Sequence, residues 1–112
     1  LVTRLREKGT MLGKLSATPD SANIIVPNAH PVSEVSVNEA VRYETENAKA
    51  RIALVDCGCK NTIIRHLIKR NAEVIRVPWN YDATSLDVDG IVFSNGPGNP
   101  EDCIETINTA RK

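Results

Sequence analysis

Neither sign of charge predominates in this sequence: fourteen Lys and Arg residues balance fourteen Asp and Glu residues. A balanced chain has no global field to gather nucleic acid or an anionic membrane, so a small neutral substrate or a protein partner fits better. Long apolar runs are missing too. The longest, residues 23–27 and 52–55, fall far short of the roughly 20 residues that a membrane-spanning helix needs. There is no opening methionine, charged n-region or signal core, and Leu1 is expected to be an interior cut. The cysteines, Cys57, Cys59 and Cys103, are odd in number and lack zinc-type spacing. That pattern excludes a disulfide framework, makes a metal site unexpected and points to reduced thiols in the cytoplasm.

What is present supports one packed core in 112 residues with 41% apolar content. Residues 1–8 read as the tail of a helix stopped by Gly9, and residues 10–17 alternate weakly, as a strand would. Residues 18–50 carry Pro19, Pro27 and Pro31 among many Asn and Ser residues and read as coil ending in a charged linker. A domain boundary is expected near Ala48, dividing the chain into 1–48 and 49–112. From Arg51 the pattern becomes β-α-β-loop-β-α. Ile52-Ala53-Leu54-Val55 does not alternate, as expected of a strand covered on both faces. Ile63, Ile64, Leu67 and Ile68 make one helical stripe, with Asn71 suited to the left-handed position after it. Residues 73–77 read as a second strand and 91–94 as a third. A last helix is capped by Asn99, starts at Pro100 and buries Cys103, Ile104, Ile107 and Ala110. Right-handed crossovers make this α/β pattern the first half of a flavodoxin-like parallel sheet, ordered 2-1-3, preceded by the tail of a smaller domain. Half a sheet leaves an open edge and is marginal by itself.

The chemistry would sit at strand ends. Asp56-Cys57-Gly58-Cys59-Lys60 follows the first strand but lacks the second and third glycines of a dinucleotide fingerprint, and it is not a P-loop. It is either a structural turn or a site, with Asp56 orienting backbone amides. Ser94-Asn95-Gly96-Pro97-Gly98-Asn99-Pro100 follows the third strand. Two glycines around a proline make a stiff loop whose Gly96 and Gly98 N–H groups can face a cleft and steady an oxyanion. Read alone, the loop is more simply a tight turn that needs positive φ, since glycines are common in loops. His66 lies on the polar flank of the first helix and His30 lies in coil, neither with a cysteine partner in reach of a recognisable pattern. Cys57 and Cys59 read as small buried hydrophobes, and Cys103 as an inert thiol on an inner stripe.

These residues together resemble a known family. Asp56-x-Gly58-x-Lys60 with Ile63 and Arg65, then the Ser94–Pro100 loop, is similar to the opening of the class I (triad) glutamine amidotransferase domain, and within that family to the small-subunit branch of carbamoyl phosphate synthetases. Related amidotransferases for anthranilate or guanylate synthesis usually carry another residue where Asn95 stands. Residues 1–15, with Thr3-Arg4 and Arg6-Glu7-Lys8-Gly9, are similar to the end of that branch's N-terminal domain. Thr62 stands where the family often has asparagine, and Asn99 where many members have aspartate; Asn99 still serves as a cap.

The resemblance implies hydrolysis of glutamine by a cysteine on an elbow, with histidine and glutamate farther along. Ammonia then passes to a large subunit, which holds ATP and Mg and makes carbamoyl phosphate for arginine or pyrimidine synthesis. Carried over, Gly96 supplies an oxyanion-hole N–H, and Gly98 contacts glutamine through its backbone. The attacking cysteine, histidine and glutamate have no matching positions among these 112 residues. The chain taken alone is therefore expected to be inactive, to bind no cofactor or metal of its own, and to act in a heterodimer with the large subunit, away from nucleic acid and membrane. The alternatives are another class I amidotransferase or a non-catalytic flavodoxin-like binding module.

Overall fold

The computed structural model describes residues 2–9, 11–14, 16–18 and 30–112. In chain order these form α1 (Val2–Lys8), α2 (Pro31–Val35), β1 (Val41–Tyr43), β2 (Ala50–Asp56), α3 (Asn61–Ile68), β3 (Ala72–Pro78), β4 (Gly90–Phe93) and α4 (Ile104–Arg111), with single 3-10 turns at Ala83–Ser85 and Pro100–Asp102. The four strands make one sheet in the order β1-β3-β2-β4. β2 runs parallel to both β3 and β4, with Ile52 opposite Val74 on one side and Gly90 on the other. The three parallel strands thus take the expected 2-1-3 order.

The unbroken apolar run of β2 is explained by what lies on each face. Leu54 and Val74 point toward α3 and pack on Ile64, while Ala53, Val55, Ile75 and Val77 point the other way toward Val32, Ala83 and Cys103. Leu54, Val55, Val74 and Val77 are fully buried, each contributing about 1.5–3 kcal/mol relative to exposure. α3 keeps its apolar stripe inward and places Arg65 and His66 in its last turn, where positive charge suits the carbonyl end of the helix. Asn71 takes the left-handed conformation, φ +60°, and passes the chain into β3.

Three expectations are corrected. Within 10–17, the described residues 11–14 and 16–17 form no strand; Thr10 and Leu15 lie outside the described residues. Residues 30–43 are not coil throughout: α2 buries Val32 in the core, and β1 adds an antiparallel edge to β3, with Val41 opposite Arg76. Neither element announces itself, because a five-residue helix and a three-residue strand are too short to show a period. Leu1 and residues 19–29, with the apolar run 23–27 and prolines 19 and 27, lie outside the described residues.

The third correction concerns the last helix. Asn99 does cap and Pro100 does follow it, but they open a 3-10 turn, and α4 starts only after Cys103. That tighter turn rotates the helix, so Cys103, Thr106 and Thr109 face inward, whereas Ile104 is 60% exposed and Ala110 is exposed. The threonines are tolerated there because their hydroxyls meet carbonyls of the β3–β4 connection: Thr106 Oγ1 donates to Trp79 O at 2.6 Å, and Thr109 Oγ1 sits 3.5 Å from Tyr81 O.

Candidate active site at the glycine loop

Two loops meet at the carboxyl ends of the central parallel strands, where open α/β sheets bind ligands. The first, residues 57–59 after β2, is organised by Asp56. This carboxylate is wholly buried and accepts from the amides of Gly58 at 3.0 Å, Cys59 at 2.6 Å and Val37 at 2.8 Å. Arg76, whose side chain is 15% exposed, completes the set with Nε at 3.0 Å and Nη2 at 2.7 Å from Oδ2. A buried charge so fully matched is a structural anchor. Asp56 thus orients backbone amides, both in its own loop and, through Val37, in the segment before β1.

The second loop, residues 94–98 after β4, is held against the first. Ser94 N donates to Val55 O at 3.0 Å, and Ser94 Oγ accepts from the Cys57 amide at 2.9 Å. The approach is close enough to dictate residue type. A Cβ on Gly96 would lie 1.8 Å from the Cys57 carbonyl oxygen, inside any possible contact. Gly98 has φ +82°, and a Cβ there would meet Pro31 at 2.8 Å. Among the described residues, no acceptor takes the Gly96 or Gly98 N–H. Both glycines line a groove of about 340 Å³ that also involves Val32, Cys57, Cys103, Ile107 and Ala110. Ile107 and Ala110 of α4 thus face this groove, whereas Ile104 does not line it.

The segment before β1 braces both loops. Pro31 abuts Gly98, Val35 abuts Gly58, and Ser36 Oγ accepts from the Trp79 amide at 3.0 Å. His30 stacks on Trp79 with ring centroids 4.5 Å apart, and its Nε2 lies 3.1 Å from the Asp102 carbonyl oxygen, so that nitrogen carries a proton. His66 is exposed on α3, away from both loops.

None of the three thiols has the character of a nucleophile. Burial pushes the pKa of Cys57 up, against a lowering contact with Thr106, whose Oγ1 is 3.7 Å from Sγ; the charges of Cys103 and Asp56 raise it further. Cys59 is raised by burial first and by Asp56 second, with Arg76 opposing. Cys103 is raised by burial and by the nearby Asp102 and Glu105. It stands at the head of α4, where a helix terminus would normally favour a thiolate, and the two carboxylates oppose that. Among the described residues no group of three or more His, Cys, Asp or Glu side chains could hold a metal ion, and no helix is long and apolar enough to cross a membrane.

Reading the residues in order missed Arg76, the Val37 amide and the Ser94 hydroxyl. Arg76 could have been found, since a guanidinium between Ile75 and Val77 in an apolar strand demands a buried partner.

The fold and its paired loops define an α/β domain of the flavodoxin-like class, with a glycine loop at the tip of β4 whose amides are unbonded among the described residues. The chain belongs to the class I glutamine amidotransferase family, whose profile matches residues 53–112. It is similar to the multifunctional protein CAD of Squalus acanthias, 45% identical over 116 residues covering 100% of this chain and 5% of that protein. The mitochondrial carbamoyl-phosphate synthase [ammonia] of Rattus norvegicus is 41% identical over 109 residues, 96% of this chain and 7% of the relative. The carbamoyl phosphate synthase small chain of Pyrococcus furiosus is 36% identical over 124 residues, 100% of this chain and 33% of the relative. The chain therefore spans a third or less of the length of these relatives.

Proposed function

We propose that this chain is part of the glutamine-hydrolysing component of a carbamoyl phosphate synthetase. In this reading residues 1–48 bring the end of an N-terminal domain and a linker, which includes the brace over the loops, and residues 49–112 open the amidotransferase domain. The observation that carries it is the Gly96-Pro97-Gly98 loop: a rigid backbone pair at a strand tip, unbonded within the described residues and open to a groove of substrate size.

Glutamine would lie along that groove with its backbone-facing atoms near Gly98 and its side-chain carbonyl near the Gly96 amide. Attack by a thiolate from outside these 112 residues turns that carbonyl oxygen into an oxyanion. A fixed N–H donor lowers such a barrier by about 2.7–4 kcal/mol. Ammonia departs toward a large subunit that binds ATP and Mg, and water then releases glutamate from the acyl-enzyme. The setting would be cytoplasmic, the assembly a heterodimer or a fused chain, and the overall reaction a ligation serving arginine or pyrimidine synthesis.

The test is carbamoyl phosphate synthesis by the full-length protein assembled with its large subunit, or fused to it, with glutamine or with ammonia as nitrogen source. Synthesis from both supports the reading. The 112-residue polypeptide alone is expected to show no glutaminase turnover, and turnover that follows this polypeptide through purification contradicts the assignment of the nucleophile. A second reading, a retained domain that binds or scaffolds without hydrolysing glutamine, is favoured by the word ammonia in the name of the rat relative. Synthesis from ammonia alone would select it.

A further inference from the structure

We infer that Ser94 is a positioning residue: its hydroxyl sets the direction of the Gly96 N–H. The inference rests on the amidotransferase reading above. Ser94 Oγ accepts from the Cys57 amide at 2.9 Å and donates to the Asn95 carbonyl oxygen at 2.9 Å. The Asn95 carbonyl and the Gly96 N–H belong to one planar trans peptide, so they point in opposite directions as a unit. Holding the carbonyl oxygen therefore aims the amide hydrogen.

The reference point is itself tied down by hydrogen bonds. Cys57 follows Asp56, whose buried carboxylate grips the Gly58 and Cys59 amides and is gripped in turn by Arg76. The Cys57 carbonyl also lies so close to Gly96 that no side chain fits between them. One hydroxyl thus ties the peptide that carries the donor to the frame of the first loop. Without it, the Asn95–Gly96 plane can turn about its flanking bonds, and glycine offers little resistance. Ser94 is half-buried beside the groove, so losing one oxygen leaves the fold its core.

The experiment compares wild type, Ser94→Ala and Ser94→Thr in the full-length protein assembled with its large subunit, measuring kcat and KM with glutamine, synthesis from ammonia, and thermal midpoint. A donor aimed at the oxyanion matters in the transition state more than in the ground state. Ser94→Ala should therefore lower glutamine-dependent kcat about ten- to a hundredfold, with KM changed less than about threefold. Ammonia-dependent synthesis should stay near wild type while the thermal midpoint falls by a few degrees for the freed Cys57 amide, and Ser94→Thr, which keeps the hydroxyl, should recover most of both losses. A kcat for Ser94→Ala within about twofold of wild type overturns the inference. So does a parallel loss of both activities that threonine does not repair. If the wild type itself makes product from ammonia but not from glutamine, the amidotransferase reading fails before any variant is compared, and this inference fails with it.

Discussion

Replacing Arg76 with leucine should cost more than any single surface change, because it strands a charge in the interior. Asp56 is wholly buried, and Arg76 supplies two of its five hydrogen bonds and the counter-charge. Removing one partner of a buried pair costs about 3–5 kcal/mol, and the three remaining amide donors place this site near the lower end. About 3 kcal/mol is roughly two decades in an equilibrium constant. Hydrogen exchange by mass spectrometry on the full-length protein should thus show β2 and β3 amides exchanging about a hundredfold faster in Arg76→Leu, where they exchange through a shared opening. Asp56→Asn alone should also destabilise, since an amide accepts through one oxygen only. In the double variant no uncompensated charge remains, so its cost should fall short of the sum by about 1–3 kcal/mol. An acceleration below about fivefold in Arg76→Leu, or strict additivity in the double variant, would refute the argument that Arg76 neutralises Asp56.

Gly96→Ala should weaken both folding and glutamine turnover, because its methyl would sit 1.8 Å from the Cys57 carbonyl unless the loops part; an unchanged thermal midpoint would mean that the loops are not in contact. Alkylation at pH 8 followed by peptide mapping should label the half-buried Cys59 first and the buried Cys57 and Cys103 only on unfolding, as their raised pKa values and burial require. Labelling of Cys103 at the rate of Cys59 would show that α4 is not packed as described. The Asp82 carboxyl, bonded by Lys112 and by Thr84, has its pKa lowered from 3.8 to about 2. Its folded value lies below its unfolded value, so the stabilisation is complete above pH 4 and fades as the pH falls toward 2. An NMR titration should place the midpoint near 2 and move it up in Lys112→Ala, whereas a wild-type midpoint near 3.8 would mean that the ion pair does not form in solution.

The parallel part of the sheet was legible because its signals were redundant, whereas the edge strand β1 was not. β2, α3 and β3 combine apolar run, helical stripe and left-handed Asn71, each pointing to the same arrangement. The inner face of α4 was not legible, since a 3-10 turn of three residues resets the helical phase without leaving a mark in composition. Gly96 stood out as a loop glycine, but the reason that only glycine fits there is the Cys57 carbonyl, which lies 39 positions earlier in the chain and comes near it only through parallel pairing of β2 and β4. The same holds for Ser94, an unremarkable serine until Cys57 is placed beside it. Distances across strands are set by register, and register is a property of the fold rather than of either segment.

The most direct test of the account is a crystal structure of the full-length protein with an electrophilic glutamine analogue trapped as a tetrahedral adduct. The account predicts the adduct oxygen about 2.7–3.1 Å from the Gly96 nitrogen, with Ser94 Oγ still bridging Cys57 and Asn95. An adduct oxygen held only by other donors, with the Gly96 N–H bonded elsewhere in the protein, would contradict it.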